Sequence, residues 1–323
     1  MLRHRRLLVL VVLCALLGAA APADAQLRRV ATVDAVRLRA APSATGAAVR
    51  TLEIATPLTV EGSASGVWVR VRTCDGAAGW VRRDLTVPYE ASAPLAALRT
   101  IAERSLAREA TPFSVRARLA NVLTDAARHA TAPGAKAELS LLRLRALQAA
   151  LDAHAANDAL RETDPVRTGR LHADSSELAY GDPQGQWLVR ADAFWTLHDR
   201  HRALPIAERI AWAAASQMLP GECEADPTCI FTVLEMTTGR YLGLYPRGAH
   251  AATALAELAA PLEFLEEATR DPEAHGVFCT ARGDDSSVTP SRIAAITRRV
   301  AASVGAGRGR ALALLGKLRA RCG

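Results

Sequence analysis

Four side chains near the start of the chain have the chemistry to hold a ligand: Arg39, Trp68, Arg70 and Trp80. A tryptophan ring left partly open offers a flat apolar face to a sugar or peptide. A neighbouring guanidinium offers a forked donor to a carboxylate. The alternative is that both rings cap the ends of a small core. Sulfur is the second chemistry. Cys223 and Cys229 flank Glu-Ala-Asp-Pro-Thr, a short loop turned by Pro227, and are expected to pair. Cys279, in a loop, and Cys322, near the last residue, form a second expected pair that would pin the final helices. Cys74 is left over, either as a tolerated small residue or as one half of a bridge between chains.

No set of residues compels a reaction, so no catalytic residue is assigned. Cys279 is the best-placed thiol, but its context Val277-Phe278-Cys279-Thr280 lacks the Asp-Cys-Ser-Gly run usual in such cysteine peptidases. His198 and His201 stand three apart without a His-Glu-x-x-His pattern, and are expected to be solvated rather than to hold a metal. Glu177 and Glu235 are the only candidates for the acid of a lysozyme-like site, which needs a carboxyl raised by an apolar pocket. Glu222, Glu224 and Asp284-Asp285 read as solvated loop groups. Gly305, Gly307 and Gly309 lack the preceding strand and the Lys-Ser/Thr ending of a phosphate loop. No metal and no cofactor is expected.

The elements that must position these groups change character along the chain. Residues 1–25 carry Arg3, Arg5 and Arg6, an apolar run over residues 7–21 and the small-x-small triplet Ala23-Asp24-Ala25. That pattern is expected to be a secretory signal. Export makes a periplasmic or secreted location the expectation, with no membrane-spanning segment in the mature chain. The formal charge of +7 is carried almost wholly by scattered arginines. A solvated helix face accounts for most of them, and no nucleic-acid partner is expected. Hydrophobic residues make up 50% of the chain, ample for a core.

Over residues 33–85 the period is that of strands. In Trp68-Val69-Arg70-Val71-Arg72 the two valines share one face, and the tryptophan and arginines share the other. Asp75-Gly76 signals a hairpin. Val36, Leu38, Leu52, Leu58, Val60, Val69, Val71 and Val81 suffice for a small core. Val36-Arg37-Leu38-Arg39-Ala40-Ala41-Pro42-Ser43, then Gly66-Val67-Trp68-Val69-Arg70-Val71, then Gly79-Trp80-Val81 resemble the ordered pieces of the bacterial SH3 (SH3b) family. Arg37 stands where that family favours Asn, and Ala41 where it favours Gly. The resemblance implies a barrel of five to six strands over residues 30–90, a module often found beside cell-wall enzymes or as a ligand-binding appendage.

After Pro88 the period becomes helical. Three apolar stripes over residues 94–160 predict a three-helix unit, broken at Pro112 and Pro133-Gly134. Residues 161–186 read as a polar linker, and residues 187–323 as a disulfide-pinned helical domain. Within it, Tyr245-Pro246-Arg247-Gly248 resembles the helix-turn-helix corner of tetratricopeptide-like repeats, in one copy rather than a tandem array. The expected architecture is therefore multi-domain: a small all-β barrel of SH3 type followed by an all-α, tetratricopeptide-like body. The expected role is a non-enzymatic binding or scaffold protein contacting peptidoglycan or an envelope protein. A divergent wall hydrolase, lysozyme-like or amidase, is the alternative.

Overall fold

The computed structural model describes residues 27–160, 162–168, 170–270 and 288–322. The chain forms two compact units, one up to residue 173 and one from residue 174. In the first, seven strands form one antiparallel sheet: β1 (Arg28–Ala31), β2 (Val36–Arg39), β3 (Ala48–Leu52), β4 (Pro57–Val60), β5 (Trp68–Thr73), β6 (Ala78–Arg82) and β7 (Thr86–Pro88). Their order is β3-β2-β6-β5-β4-β1-β7. Alternation dictates the faces. Along β5 the residues at 69, 71 and 73 are buried, while Arg70 and Arg72 are exposed. Ala31, Val36, Leu38, Leu52, Leu58, Val69, Val71 and Val81 come from six strands and meet in a single buried cluster, so the sheet is rolled around them as a barrel. Val60, expected in that core, packs against it only partly buried.

The barrel has more strands than the family resemblance implies because both ends of the segment are recruited. Val30 pairs with Val87 and with Pro57, placing β1 between β4 and β7. Its buried Val30 and Ala31 supply the apolar face that makes the addition favourable. The turn from β5 to β6 closes through Thr73, whose amide donates to the Ala77 carbonyl at 2.9 Å, with Gly76 at φ +89°. Cys74 is exposed in that turn.

Among the described residues of the first unit, three helices follow the barrel: α1 (Leu95–Leu106), α2 (Phe113–His129) and α3 (Pro133–Ala155). Pro112 holds the extended residue before α2, and Pro133 opens α3, where its missing N–H costs nothing. The expected stripes point inward: Leu98 and Ala102, then Val115, Leu119 and Leu123, then Leu139, Leu142, Leu147 and Leu151 are buried.

The second unit begins with a hairpin, β8 (Leu178–Gly181) and β9 (Gln186–Val189), so the body is not purely helical. The helices that follow are α4 (Ala191–His201), α5 (Ala207–Ala215), α6 (Pro227–Met236), α7 (Thr238–Leu244), α8 (Ala251–Glu257), α9 (Ala259–Ala268), α10 (Pro290–Ala302) and α11 (Arg308–Cys322). Cys223 and Cys229 form a disulfide just ahead of and inside the first turn of α6, with 5.4 Å between their Cα atoms. Asp226 caps α6 by accepting the Thr228 N–H at 2.8 Å. Cys322 is disulfide-bonded. Cys279, its expected partner, lies outside the described residues, as do residues 1–25 and Asp284-Asp285. Among the described residues no helix is long and apolar enough to cross a membrane.

Candidate functional site

The barrel register places three of the four ligand candidates in one row. Arg39 on β2 stands opposite Trp80 on β6, and Trp80 stands opposite Arg70 on β5. Directly opposed residues share a face, so Trp80 lies on the same face as Arg39 and Arg70 of the two neighbouring strands. Trp68 stands opposite Arg82, one step along the same face. Gly79 is the reason the row can form. A Cβ there would lie 2.6 Å from the Arg39 carbonyl oxygen and 3.0 Å from the Leu38 side chain. Only glycine lets β2 and β6 approach so closely.

The polar capacity of this face is only partly used. Arg39 donates from Nη1 to the Gly46 carbonyl at 2.6 Å, which fixes the guanidinium and leaves its other nitrogens open. Arg72 takes up Glu61 at 2.5 Å, whereas Arg70 reaches the same carboxylate only at 4.0 Å. Arg82 is held by Asp84 at 2.7 Å. Trp68 and Trp80 are half-buried, and neither indole N–H has a partner among the described residues. A half-buried aromatic ring with an arginine on each neighbouring strand of the same face suits a flat or ring-shaped ligand that carries carboxylates.

The second unit brings together a different cluster, which the sequence reading passed over. His198 was expected to be solvated; instead it is 3% exposed. Its Nδ1 lies 2.8 Å from Asp199 Oδ1, and its Nε2 lies 2.8 Å from the Tyr245 hydroxyl. Both ring nitrogens therefore have a partner, one a carboxylate and the other a hydroxyl. Beside it the Tyr241 hydroxyl donates to Glu208 Oε1 at 2.9 Å and accepts the His250 N–H at 3.1 Å. Glu208 also accepts the Ala249 N–H. Trp212 stacks on His250 with centroids 4.7 Å apart. Burial first, and then the hydrogen bond to Glu208, push the Tyr241 hydroxyl above the ordinary tyrosine range. Burial and the Glu208 and Asp199 charges raise Tyr245 in the same direction.

These groups surround Tyr245-Pro246-Arg247-Gly248, the junction between α7 and α8. A Cβ at Gly248 would sit 2.5 Å from Glu208 Oε1 and 2.7 Å from the Tyr241 oxygen. The signal that could have found this cluster is Tyr241 and Tyr245, one helical turn apart and just before the turn residues. The polar atoms at its centre are spent on one another, so the arrangement holds the corner shut.

The other candidate chemistries separate. Glu235 is paired with Arg292 at 2.8 Å and is no free acid. Glu177 sits in the turn before β8, where its carbonyl accepts the Arg190 N–H at 2.8 Å. His201 is half-buried at the end of α4. Among the described residues no three His, Cys, Asp or Glu side chains assemble as a metal site.

Comparison with known proteins bears on the first unit. No curated protein and no solved structure matches the chain. Residues 32–87 match the family model described as the bacterial SH3 domain. That span takes in β2 through β6 and the Arg39–Trp80–Arg70 row, and the N-terminal barrel is a bacterial SH3 domain.

Proposed function

We propose that this chain is an exported, non-enzymatic binding protein whose SH3 barrel contacts cell-wall peptidoglycan through the outer face carrying Arg39, Trp80, Arg70 and Trp68. The observation that carries this reading is the cross-strand row Arg39–Trp80–Arg70: a half-buried tryptophan sharing its face with an arginine on each neighbouring strand, both with unspent donors. Bacterial SH3 domains are commonly peptidoglycan-binding modules, which supports the wall as the ligand source. Peptidoglycan combines sugar rings, which stack on indole, with peptide carboxylates, which pair with arginine. The signal-like residues 1–25 and the Cys223–Cys229 disulfide support a periplasmic or secreted location.

The test is co-sedimentation of the full chain with purified sacculi, with the supernatant assayed for released muropeptides. Wild-type protein should pellet with the wall and release nothing. Trp80→Ala should weaken binding about tenfold, a loss of about 1.4 kcal/mol. Arg39→Ala with Arg70→Ala should weaken it further and flatten its salt dependence. Release of fragments would instead establish a hydrolase. Failure of the wild type to pellet would leave an envelope protein as the partner.

A further inference from the structure

A cavity of about 450 Å³ opens in the first unit, between the turn that joins β1 to β2 and the loop that joins α1 to α2. That is within the roughly 300–1,000 Å³ range of small-ligand sites. It lies away from the Arg39–Trp80–Arg70 row, and none of those residues lines it. Val33, Ile54 and Val115 give it an apolar wall.

Ser105 on α1 lines this cavity and is 6% exposed. Its hydroxyl is buried and has no hydrogen-bond partner. Helical hydroxyls usually donate to the carbonyl four residues back. Thr100, Thr124, Thr232, Thr237 and Thr297 all do so in this chain. Ser105 does not, which leaves a buried polar group that a ligand could satisfy.

The charges around the cavity come in both signs. Arg104 donates from Nη1 to Thr32 Oγ1 at 3.0 Å and to the Asp84 carbonyl at 3.3 Å. Those bonds fix the guanidinium while Nε and Nη2 stay without partners among the described residues. The Arg108 guanidinium and the Glu109 carboxylate are likewise unpartnered among the described residues. Asp34 uses one oxygen, Oδ1, to accept the Ile54 N–H at 3.3 Å. The loop itself is pinned: Arg116 donates to the Arg108 carbonyl at 2.9 Å and to the Ala149 carbonyl on α3 at 2.8 Å.

We propose that this cavity binds a small zwitterion of the amino-acid or short-peptide class. Arg104 and Arg108 take the α-carboxylate, Asp34 and Glu109 take the ammonium group, and the apolar body rests on Val33, Ile54 and Val115 while Ser105 meets a backbone polar atom. The forked, partly fixed Arg104 favours a carboxylate over a neutral carbonyl. The site is independent of the wall-binding face, and so is its test.

The full chain is titrated with alanine, trialanine, N-acetyl-trialanine and trialanine amide, followed by calorimetry and by the backbone amide resonances of residues 104–111. Trialanine should bind saturably, and each blocked peptide should bind at least tenfold more weakly. Ser105→Ala and Arg108→Ala should each weaken trialanine about fivefold with the melting temperature unchanged, while Trp80→Ala should leave it intact. Alanine binding as well as trialanine would place a free amino acid in the site and keep the proposal. Absence of saturable binding, equal binding of the blocked peptides, or indifference to both Ser105→Ala and Arg108→Ala would overturn it. Trialanine binding by a chain that ignores sacculi would overturn the wall reading alone.

Discussion

The barrel face and the corner between α7 and α8 are built from similar materials and behave oppositely. Each gathers aromatic rings beside charged side chains. At the corner, His198, Tyr245, Tyr241 and Glu208 hydrogen-bond to one another or to backbone N–H groups. On the barrel, Trp68 and Trp80 keep their indole N–H groups, Arg39 keeps two of its nitrogens, and Arg70 is only distantly paired. Residue type alone therefore does not mark a binding surface. Unspent hydrogen-bonding capacity beside an accessible ring is what the proposed binding face has and the corner lacks, and a satisfied network gains nothing from a ligand.

Breaking the corner should cost stability and leave binding alone. Glu208→Ala removes the acceptor for the Tyr241 hydroxyl and the Ala249 N–H, and is expected to destabilise the second unit by about 3 kcal/mol. Urea unfolding measures this, and sacculus binding at low temperature should be unchanged. Loss of binding by a folded Glu208→Ala protein would merge the two regions into one site.

Tyr241→Phe is a smaller change, about 1 kcal/mol, since it removes one hydroxyl and leaves the ring packed. It also has a pH signature. The Tyr241 hydroxyl is raised above its unfolded value near 10, so the folded state holds that proton more tightly than the unfolded state. The associated stability is present below pH 10 and is lost as pH rises above 10. Melting temperatures from pH 8 to 11 should fall more steeply for wild type than for Tyr241→Phe. Parallel curves would show that the hydroxyl is not held as described.

The smallest stability effect belongs to the barrel. Arg70 is 54% exposed and 4.0 Å from Glu61, so Arg70→Ala should change stability by no more than about 0.5 kcal/mol while reducing wall binding. A large loss of stability would make Arg70 part of the fold and blunt the contrast.

Legibility followed the range of the interactions. Strand alternation located the barrel core, with only Val60 less buried than expected. The Cys223–Cys229 bridge was legible because only five residues, one of them Pro227, separate the two. The candidate residues Arg39, Trp68, Arg70 and Trp80 were named from type and pattern, but their row was not. It depends on the antiparallel register of β2 and β6, about forty residues apart, and on the close approach at Gly79. The β8–β9 hairpin lay partly inside a stretch read as linker. Its turn closes through Gly185 at φ +62°, and only the pairing of β8 with β9 tells that turn from a polar break. His198 was misread because its partner Tyr245 is 47 residues away, and helix position alone cannot reveal burial. Arg104 and Thr32, separated by 72 residues, meet only after α1 packs beside the barrel.

The most direct test of the barrel face uses the five tryptophans as built-in reporters. Indole N–H resonances of the folded chain are followed while soluble peptidoglycan fragments are added. The signals of Trp68 and Trp80 should shift together and saturate, while those of Trp187, Trp195 and Trp212 stay in place. Shifts confined to the second unit, or no saturable shift at Trp68 and Trp80, would contradict the account.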